Sequence, residues 1–257
     1  MTEAVLCVSF GTSVPQARES IQTVEETLKA AAGERIFTRA LTSRTIRRIL
    51  AGRGEEIPGV DGALAALAAQ GVERVVVQPT HLLAGHEYDK IRREMDPWAG
   101  RFSSLELGRP LLADTGDVRA LAAALCAACP PEEGEALVLF GHGTDHPANL
   151  VYPALQTAFR LLGREDVWIG TVEGWPGLEE LSAQLARQSR RRLHLLPVML
   201  VAGDHAMNDM AGEGDSWKTR LEAEGYQVRC TLRGLGALPQ VQALYRARLA
   251  ALLPLEQ

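Results

Sequence analysis

Long apolar segments are missing from this sequence of 257 residues. No stretch of about twenty apolar residues occurs, so no transmembrane helix and no membrane partner are expected. Residues Met1–Ala4 run directly into a strand-like segment, without the basic and apolar regions of a signal peptide. We therefore expect a cytoplasmic protein.

Cysteine is scarce, and basic residues do not outnumber acidic ones. Of the four cysteines, Cys126 and Cys129 form one Cys-x-x-Cys, but no second pair completes a zinc site. Buried or partly buried free thiols are expected instead. The net charge of −5 argues against non-specific binding to nucleic acid, which needs a basic surface. An apolar fraction of 46% is enough for a sizeable core.

Two parts of the chain nearly repeat each other. The segment 78–87, QPTHLLAGHE, matches 196–205, LPVMLVAGDH. The segment 8–12, VSFGT, similarly resembles 140–144, FGHGT. Two halves of similar structure are therefore expected.

The histidines do not follow this repeat. His142 and His205 occupy positions where the first half has Phe10 and Glu87. One half has thus acquired its own chemistry, which points to a metal or proton-transfer site between the halves.

Apolar strands alternate with amphipathic helices along each half. The predicted strands are 4–10, 35–41, 74–78, 104–107, 137–140, 167–172, 193–200 and 227–232. The predicted helices are 15–32, 64–69, 87–95, 117–126, 148–162, 178–188, 216–224 and 239–252. This order is typical of an α/β protein with two lobes, each a four-stranded parallel sheet with helices on both faces. We expect an N-terminal lobe over 1–115, a C-terminal lobe from 116 to 238, and an active-site cleft between them.

Three metal-binding side chains follow predicted strands of the second half. His142 comes after the strand 137–140, Glu173 after 167–172, and His205 lies in the loop after 193–200. Carboxyl ends of parallel strands meet at one edge of a sheet, so these side chains should lie together. Two imidazoles and a carboxylate suit a divalent transition metal with open coordination positions.

Basic residues cluster after the second predicted strand. Arg44, Arg47 and Arg48 follow Thr42-Ser43, which would place arginines near the N-terminus of a helix. Two readings stay open for this cluster: a solvated face or an anion-binding site.

Several motifs extend along the whole chain and carry a resemblance to a known family. They are VSFGTS at 8–13, ALTS at 40–43, GHEYDKI at 85–91, GHG at 141–143, VEGWP at 172–176, LPVMLVAGDHAMNDMA at 196–211 and GDSWK at 214–218. In these motifs the sequence resembles the CbiK-type sirohydrochlorin cobaltochelatases, relatives of ferrochelatase. The resemblance implies the duplicated chelatase-like fold, and it allows the last helix, within 239–257, to pack on the N-terminal lobe.

The resemblance also implies a reaction, the insertion of cobalt(II) into sirohydrochlorin in the oxygen-independent route to cobalamin. Residues matching the family's metal ligands are His142, Glu173 and His205. We expect His142 to bind metal and accept a proton, His205 to be the second ligand, and Glu173 to offset the metal charge and relay a proton. Cobalt is the substrate metal, and no organic cofactor is expected.

Sirohydrochlorin carries eight carboxylates, so an acidic protein needs local positive potential where it binds. Arg44, Arg47 and the backbone amides that follow Gly11, Thr12 and Ser13 are candidates to supply it. Glu87, at the start of a predicted helix, is a candidate for the rim of the cleft. The expected substrate-binding residues are Gly11, Thr12, Ser13, Arg44, Arg47 and Glu87.

Other functions stay open at this point. Iron or nickel suits the same ligands, which leaves a sirohydrochlorin ferro- or nickel-chelatase as an alternative. A non-catalytic carrier of metal or tetrapyrrole would use the same residues without turnover. A two-lobed solute receptor is disfavoured by the metal-binding triad. The sequence also leaves open a homo-oligomer, the final proton acceptor, and the roles of His81 and His86.

Overall fold

Two four-stranded parallel sheets form the framework of residues 2–253, the part of the chain that the computed structural model describes. The segment 254–257, at the end of the predicted C-terminal region, lies outside the described residues. Two compact units contain these sheets. One unit comprises the described residues up to Ala113 and those from Gln242 onwards, and the other comprises Asp114–Val241.

The first unit has the sheet order β2-β1-β3-β4. Its strands are β1 Glu3–Ser9, β2 Ile36–Leu41, β3 Arg74–Pro79 and β4 Ser104–Leu107. The helices between them are α1 Arg18–Ala32, α2 Arg44–Ala51, α3 Val60–Ala69 and α4 His86–Met95. All strand pairs in this sheet are parallel, so its carboxyl edge collects the loops after β1, β2 and β3.

The second unit repeats the arrangement with the order β6-β5-β7-β8. Its strands are β5 Glu135–Gly141, β6 Val167–Thr171, β7 Arg192–Val198 and β8 Gln227–Cys230. Its helices are α5 Thr115–Ala128, α6 Val151–Leu161, α7 Leu178–Leu185 and α8 Trp217–Ala223. The identical strand order confirms the duplicated α/β fold expected from the repeated motifs.

The central strands are apolar because both of their faces are covered. Every residue of β1 after Glu3 is buried. Side chains of a strand alternate between faces, and Ala4, Leu6 and Val8 pack in one cluster with apolar residues of α3 and α4. The intervening Val5 and Cys7, also fully buried, therefore face the opposite side. A strand buried on both sides gives a continuous apolar run in the sequence.

The sequence predicts that the arginine cluster lies near the N-terminus of a helix, but it sets no bounds for this helix, α2. Three arginines interrupt its apolar residues, so hydrophobic spacing does not define its extent. It is nevertheless helical, since the Ser43 side chain accepts a hydrogen bond from the Ile46 backbone amide at 3.3 Å and caps the first turn. Ile46 and Leu50 anchor one side of the helix on Leu41 and Ile57.

Other boundaries also differ from the sequence-based predictions. Strand β1 ends at Ser9, and Phe10 lies beyond it with a side chain that is 49% exposed. Helix α3 starts at Val60, four residues before the predicted start. The prediction missed the first turn because the alanine-rich sequence has little contrast between apolar and polar faces. Helix α7 ends at Leu185, three residues before the predicted end.

The last helix, α9, spans Pro239–Ala250. Tyr245 is completely buried and donates a hydrogen bond to the Thr80 carbonyl at 2.6 Å, directly after β3. Arg248 donates to the Leu111 carbonyl at 3.2 Å. Burial raises the pKa of the Tyr245 hydroxyl, which therefore stays a neutral donor. These contacts tie the end of the chain to the first sheet.

Candidate active site

His142 is the first residue after β5, which ends at Gly141. Its Nδ1 lies 2.8 Å from the carbonyl oxygen of Gly143. Gly143 has a φ of +82°, and a Cβ at this position would collide with the backbone of Gly174. A glycine is needed here because two loops approach within backbone contact.

The loop that carries Glu173 continues the pairing of β5 and β6 beyond the strand ends. The Val172 amide donates to the Gly141 carbonyl at 3.0 Å, and the Glu173 amide donates to the His142 carbonyl at 2.7 Å. Asn149 adds a second connection, accepting from the Thr144 amide at 3.1 Å and donating to the Trp175 carbonyl at 2.6 Å. The backbone thus holds Glu173 beside His142.

His205 follows β7 and directly precedes a π-helical turn, Ala206–Met210. Its Nδ1 lies 2.7 Å from Oδ2 of Asp209, four residues further along. Ala206 and Met210 are fully buried in the core of this unit and anchor the turn. Single π-helical turns occur frequently at functional sites.

These three loops bring the predicted metal ligands together. The Glu173 carboxylate lies close to both imidazoles, with Oε2 at 3.7 Å from His142 Nδ1 and Oε1 at 3.9 Å from His205 Nε2. The two rings meet edge to face, with centroids 4.7 Å apart. His142, Glu173 and His205 each offer one ligand atom, and the distances between these three atoms are all 4.8 Å or less.

Such a group is close to the size needed for one cation. Donor atoms bound to one ion at about 2.1 Å are separated by about 3 to 4 Å, so small side-chain rotations would close the site. All three side chains are partly exposed, and Glu173 is 55% exposed. A metal can therefore reach them from solvent and leave them again.

The predicted substrate-binding residues lie at the carboxyl edge of the other sheet. Gly11, Thr12 and Ser13 follow β1, and Gly11 has a φ of +97°. The backbone amides of Thr42 and Ser43 donate to the carbonyls of Ser9 and Phe10, which joins the loops after β1 and β2. The structure thus collects these residues at one edge of a single sheet.

The remaining three substrate-binding candidates start helices at that edge. Arg44 begins α2 and is exposed, whereas Arg47 is half-buried with its guanidinium against Gly59. Among residues 2–253, neither arginine forms an ion pair with a carboxylate, so both charges are available to a ligand. Glu87 lies in the first turn of α4, where the helix dipole favours a negative charge, with Lys90 at 3.8 Å.

Asp209 is a contact of the site that the sequence analysis did not assign. Its signal is the spacing His205-x-x-x-Asp209, which places two side chains on the same face of a helical turn. The spacing predicts contact only if the segment is helical, and the glycines at 203 and 212 obscure that.

The side chain of His81, two residues beyond β3, is packed without a hydrogen bond to any described residue. Both of its ring nitrogens are buried without a hydrogen-bond partner among the described residues. Burial lowers the pKa of His81 to about 4, although the nearby Glu87 carboxylate acts in the opposite direction. His81 is therefore neutral at pH 7.

We expect His81 to make the protein less stable in acid. In the unfolded chain the His81 imidazole binds a proton at about pH 6.5, whereas in the folded chain it does so only near pH 4. The free energy of unfolding therefore decreases as the pH falls through this range, by up to about 3 kcal/mol. His81→Leu should flatten this part of the pH profile in urea unfolding measured from pH 7 to pH 4.5. The exposed His86, replaced by glutamine, is the control. Equal acid sensitivity in His81→Leu and wild type would contradict the assignment.

Among the described residues, no helix combines the length and apolar character needed to span a membrane.

The duplicated sheets, together with three side chains that could hold a metal ion, define a chelatase-like α/β protein. The same fold occurs in SirB from Bacillus subtilis, solved with Fe³⁺, with a TM-score of 0.65 at 20% identity, over 96% of this chain and 94% of that one. The chain belongs to the CbiK cobalt chelatase family, which it matches over residues 3–253.

Two relatives support this membership. The chain is 41% identical to the sirohydrochlorin cobaltochelatase of Salmonella typhimurium, with 97% of this chain and 96% of that protein aligned. It is 33% identical to the sirohydrochlorin cobaltochelatase CbiKC of Nitratidesulfovibrio vulgaris, with 90% of this chain and 84% of that protein aligned. The family expected from the sequence motifs is confirmed.

Proposed function

We propose that this protein is a sirohydrochlorin cobaltochelatase, which inserts Co²⁺ into sirohydrochlorin with the loss of two pyrrole protons and so serves cobalamin synthesis. Membership of the cobalt chelatase family and two relatives named for this activity support the proposal. The observation that carries it is the group formed by His142, Glu173 and His205, whose ligand atoms lie within 4.8 Å of one another.

The reaction needs a metal site that is also a proton acceptor. Two N–H protons leave the macrocycle as one M²⁺ enters, so the site must hold a partly dehydrated cation and take up protons. Imidazole performs both tasks near neutral pH, and the Glu173 carboxylate offsets the charge of the cation. Cobalt is the substrate metal of this scheme.

His142 and His205 differ in how they can share these tasks. A nitrogen bound to metal cannot accept a proton at the same time, so one imidazole must release the cation before it becomes a base. His142 is held through Nδ1 by a neutral carbonyl, whereas His205 has a carboxylate partner. We assign the release and the proton uptake to His142, with Glu173 at 3.7 Å as its relay.

The test is an absorbance assay of the purified protein with sirohydrochlorin and each of Co²⁺, Fe²⁺ and Ni²⁺. Metallation changes the macrocycle spectrum, so the preferred metal is the one inserted with the highest kcat/KM. Insertion of cobalt over many turnovers supports the proposal and excludes a carrier, which would stop after one equivalent. A clear preference for iron or nickel would replace cobaltochelatase by the corresponding activity.

We assign the anion contacts of the macrocycle to Gly11, Thr12, Ser13, Arg44 and Arg47, with Glu87 near them. The support is their common position at the carboxyl edge of the first sheet, together with two arginines that lack carboxylate partners among the described residues. Backbone amides and guanidinium groups are suitable donors to carboxylates.

The double variant Arg44→Ala, Arg47→Ala should raise the KM for sirohydrochlorin about tenfold, with little change in kcat or in the dependence on cobalt. Binding common to the ground and transition states appears in KM. Steady-state kinetics with each substrate varied in turn would measure this. Arg101→Ala is the matched control, because Arg101 is an exposed arginine of the same unit that precedes β4, at the opposite edge of the sheet. Weaker cobalt dependence in the double variant would refute the assignment.

A further inference from the structure

The two nitrogens of the His205 ring have different partners. Nδ1 lies 2.7 Å from Asp209 Oδ2, within hydrogen-bond distance. Nε2 is on the Glu173 side of the ring, 3.9 Å from Oε1. A carboxylate accepts but does not donate, so the contact with Asp209 requires the proton to be on Nδ1. The lone pair of a neutral His205 is therefore on Nε2, the nitrogen that faces the metal site.

The position of Asp209 is built into the fold. The π-helical turn Ala206–Met210 contains Asp209 and directly follows His205, and its ends, Ala206 and Met210, are fully buried. The Asp209 side chain, 43% exposed, has His205 as its ion-pair partner and reaches no lysine or arginine among the described residues. Its negative charge therefore acts mainly on His205.

His142 has no equivalent support. Its Nδ1 lies 2.8 Å from the Gly143 carbonyl, a neutral acceptor on the adjacent residue. Hydrogen bonds to charged acceptors are stronger than those to neutral ones, and they make the imidazole a better ligand. The asymmetry between the two histidines thus extends to the residues that hold them.

We propose that Asp209 is a positioning residue of the metal site: it accepts the Nδ1 hydrogen of His205 and thereby directs the Nε2 lone pair toward the incoming cation. His205 then remains the persistent metal ligand while His142 exchanges metal for a proton. This proposal rests on the proposed function for the identity of cobalt as the substrate, but the contact itself predicts metal binding that is measurable without turnover.

The experiment compares wild type, Asp209→Asn, Asp209→Ala and Asp204→Asn by titration of the full chain with Co²⁺ alone, followed by calorimetry and by the visible absorption of bound cobalt. Asparagine keeps an acceptor but removes the charge, and alanine removes both. Asp204 is the matched control, because it is an exposed acid on the same loop that contacts Asn208 at 2.9 Å instead of His205.

We expect the Kd for Co²⁺ to rise about tenfold in Asp209→Ala and by a smaller factor in Asp209→Asn. Asp204→Asn should behave as wild type. In the insertion assay the KM for cobalt should rise in the same order, while kcat at saturating cobalt and the KM for sirohydrochlorin stay close to wild type. The melting temperatures of the Asn variants should match that of wild type.

An unchanged Kd in a folded Asp209→Ala protein would overturn the proposal. An equal loss in Asp204→Asn would also overturn it, since the effect would then come from general loop charge. Loss of sirohydrochlorin binding together with a lower melting temperature would identify a purely structural role and so refute positioning. Failure of the wild type to metallate sirohydrochlorin would refute the proposed function, but it would leave the cobalt titration as a separate test of Asp209.

Discussion

His142→Ala is expected to reduce cobalt insertion by about 10² to 10⁴-fold, the usual contribution of a general acid or base. His142 is the residue to which we assign both metal contact and proton uptake, and its Nδ1 lies 3.7 Å from the Glu173 carboxylate. The fold should be unaffected. The side chain is 44% exposed, and among the described residues its hydrogen-bond partner is the adjacent Gly143. Removing it should change the free energy of unfolding by about 0.5 kcal/mol or less.

The measurement is the initial rate of sirohydrochlorin metallation together with the melting temperature. His146→Ala is the matched control, because His146 is a histidine of the same loop with a local structural contact. Its Nδ1 accepts from the Ala148 amide at 3.0 Å and caps a short helical turn. That variant should lose about 1 kcal/mol of stability and keep its cobalt dependence. Turnover at the wild-type rate by a folded His142→Ala protein would exclude His142 as ligand and base.

Glu173→Gln is expected to lower kcat/KM for cobalt by about a hundredfold while sirohydrochlorin binding survives. Glutamine keeps the volume and one possible oxygen ligand but removes the charge. At a contact distance of about 2.1 Å, a unit charge attracts a divalent cation by about 4 kcal/mol even at the dielectric constant of water. Hydration of the free carboxylate offsets part of this attraction. The remainder corresponds to a factor of about one hundred in kcat/KM for cobalt.

Steady-state kinetics with varied cobalt would measure the first effect, and absorbance titration of sirohydrochlorin without metal the second. Glu179→Gln provides a control for a general charge effect, because Glu179 is an exposed acid in the first turn of the following helix. If Glu173→Gln lost tetrapyrrole binding alone, the assignment of Glu173 to the metal would be wrong, even with the chelatase activity intact.

Most of the fold is readable from the sequence, for a physical reason. Strands covered on both faces must be apolar throughout, and β1, β3 and β5 stand out as such runs. The repeat of 78–87 in 196–205 indicates the duplication, which the identical sheet orders confirm. The bounds of helix α2 escaped prediction because they depend on the Ser43 cap and on packing against Leu41 and Ile57.

The sequence by itself determined the duplicated α/β fold, the family and the placement of His142, Glu173 and His205 after three strands. Strand ends are local features, and parallel pairing brings them to one edge. Only the tertiary structure decided that the Glu173 carboxylate lies 3.7 and 3.9 Å from the two imidazoles, and that Asp209 contacts His205. It also decided that both ring nitrogens of His81 are buried without a hydrogen-bond partner among the described residues. These distances depend on backbone contacts between loops, which leave no pattern of hydrophobicity, and on a π-helical turn. The spacing His205-x-x-x-Asp209 indicates a contact only once that segment is known to be helical.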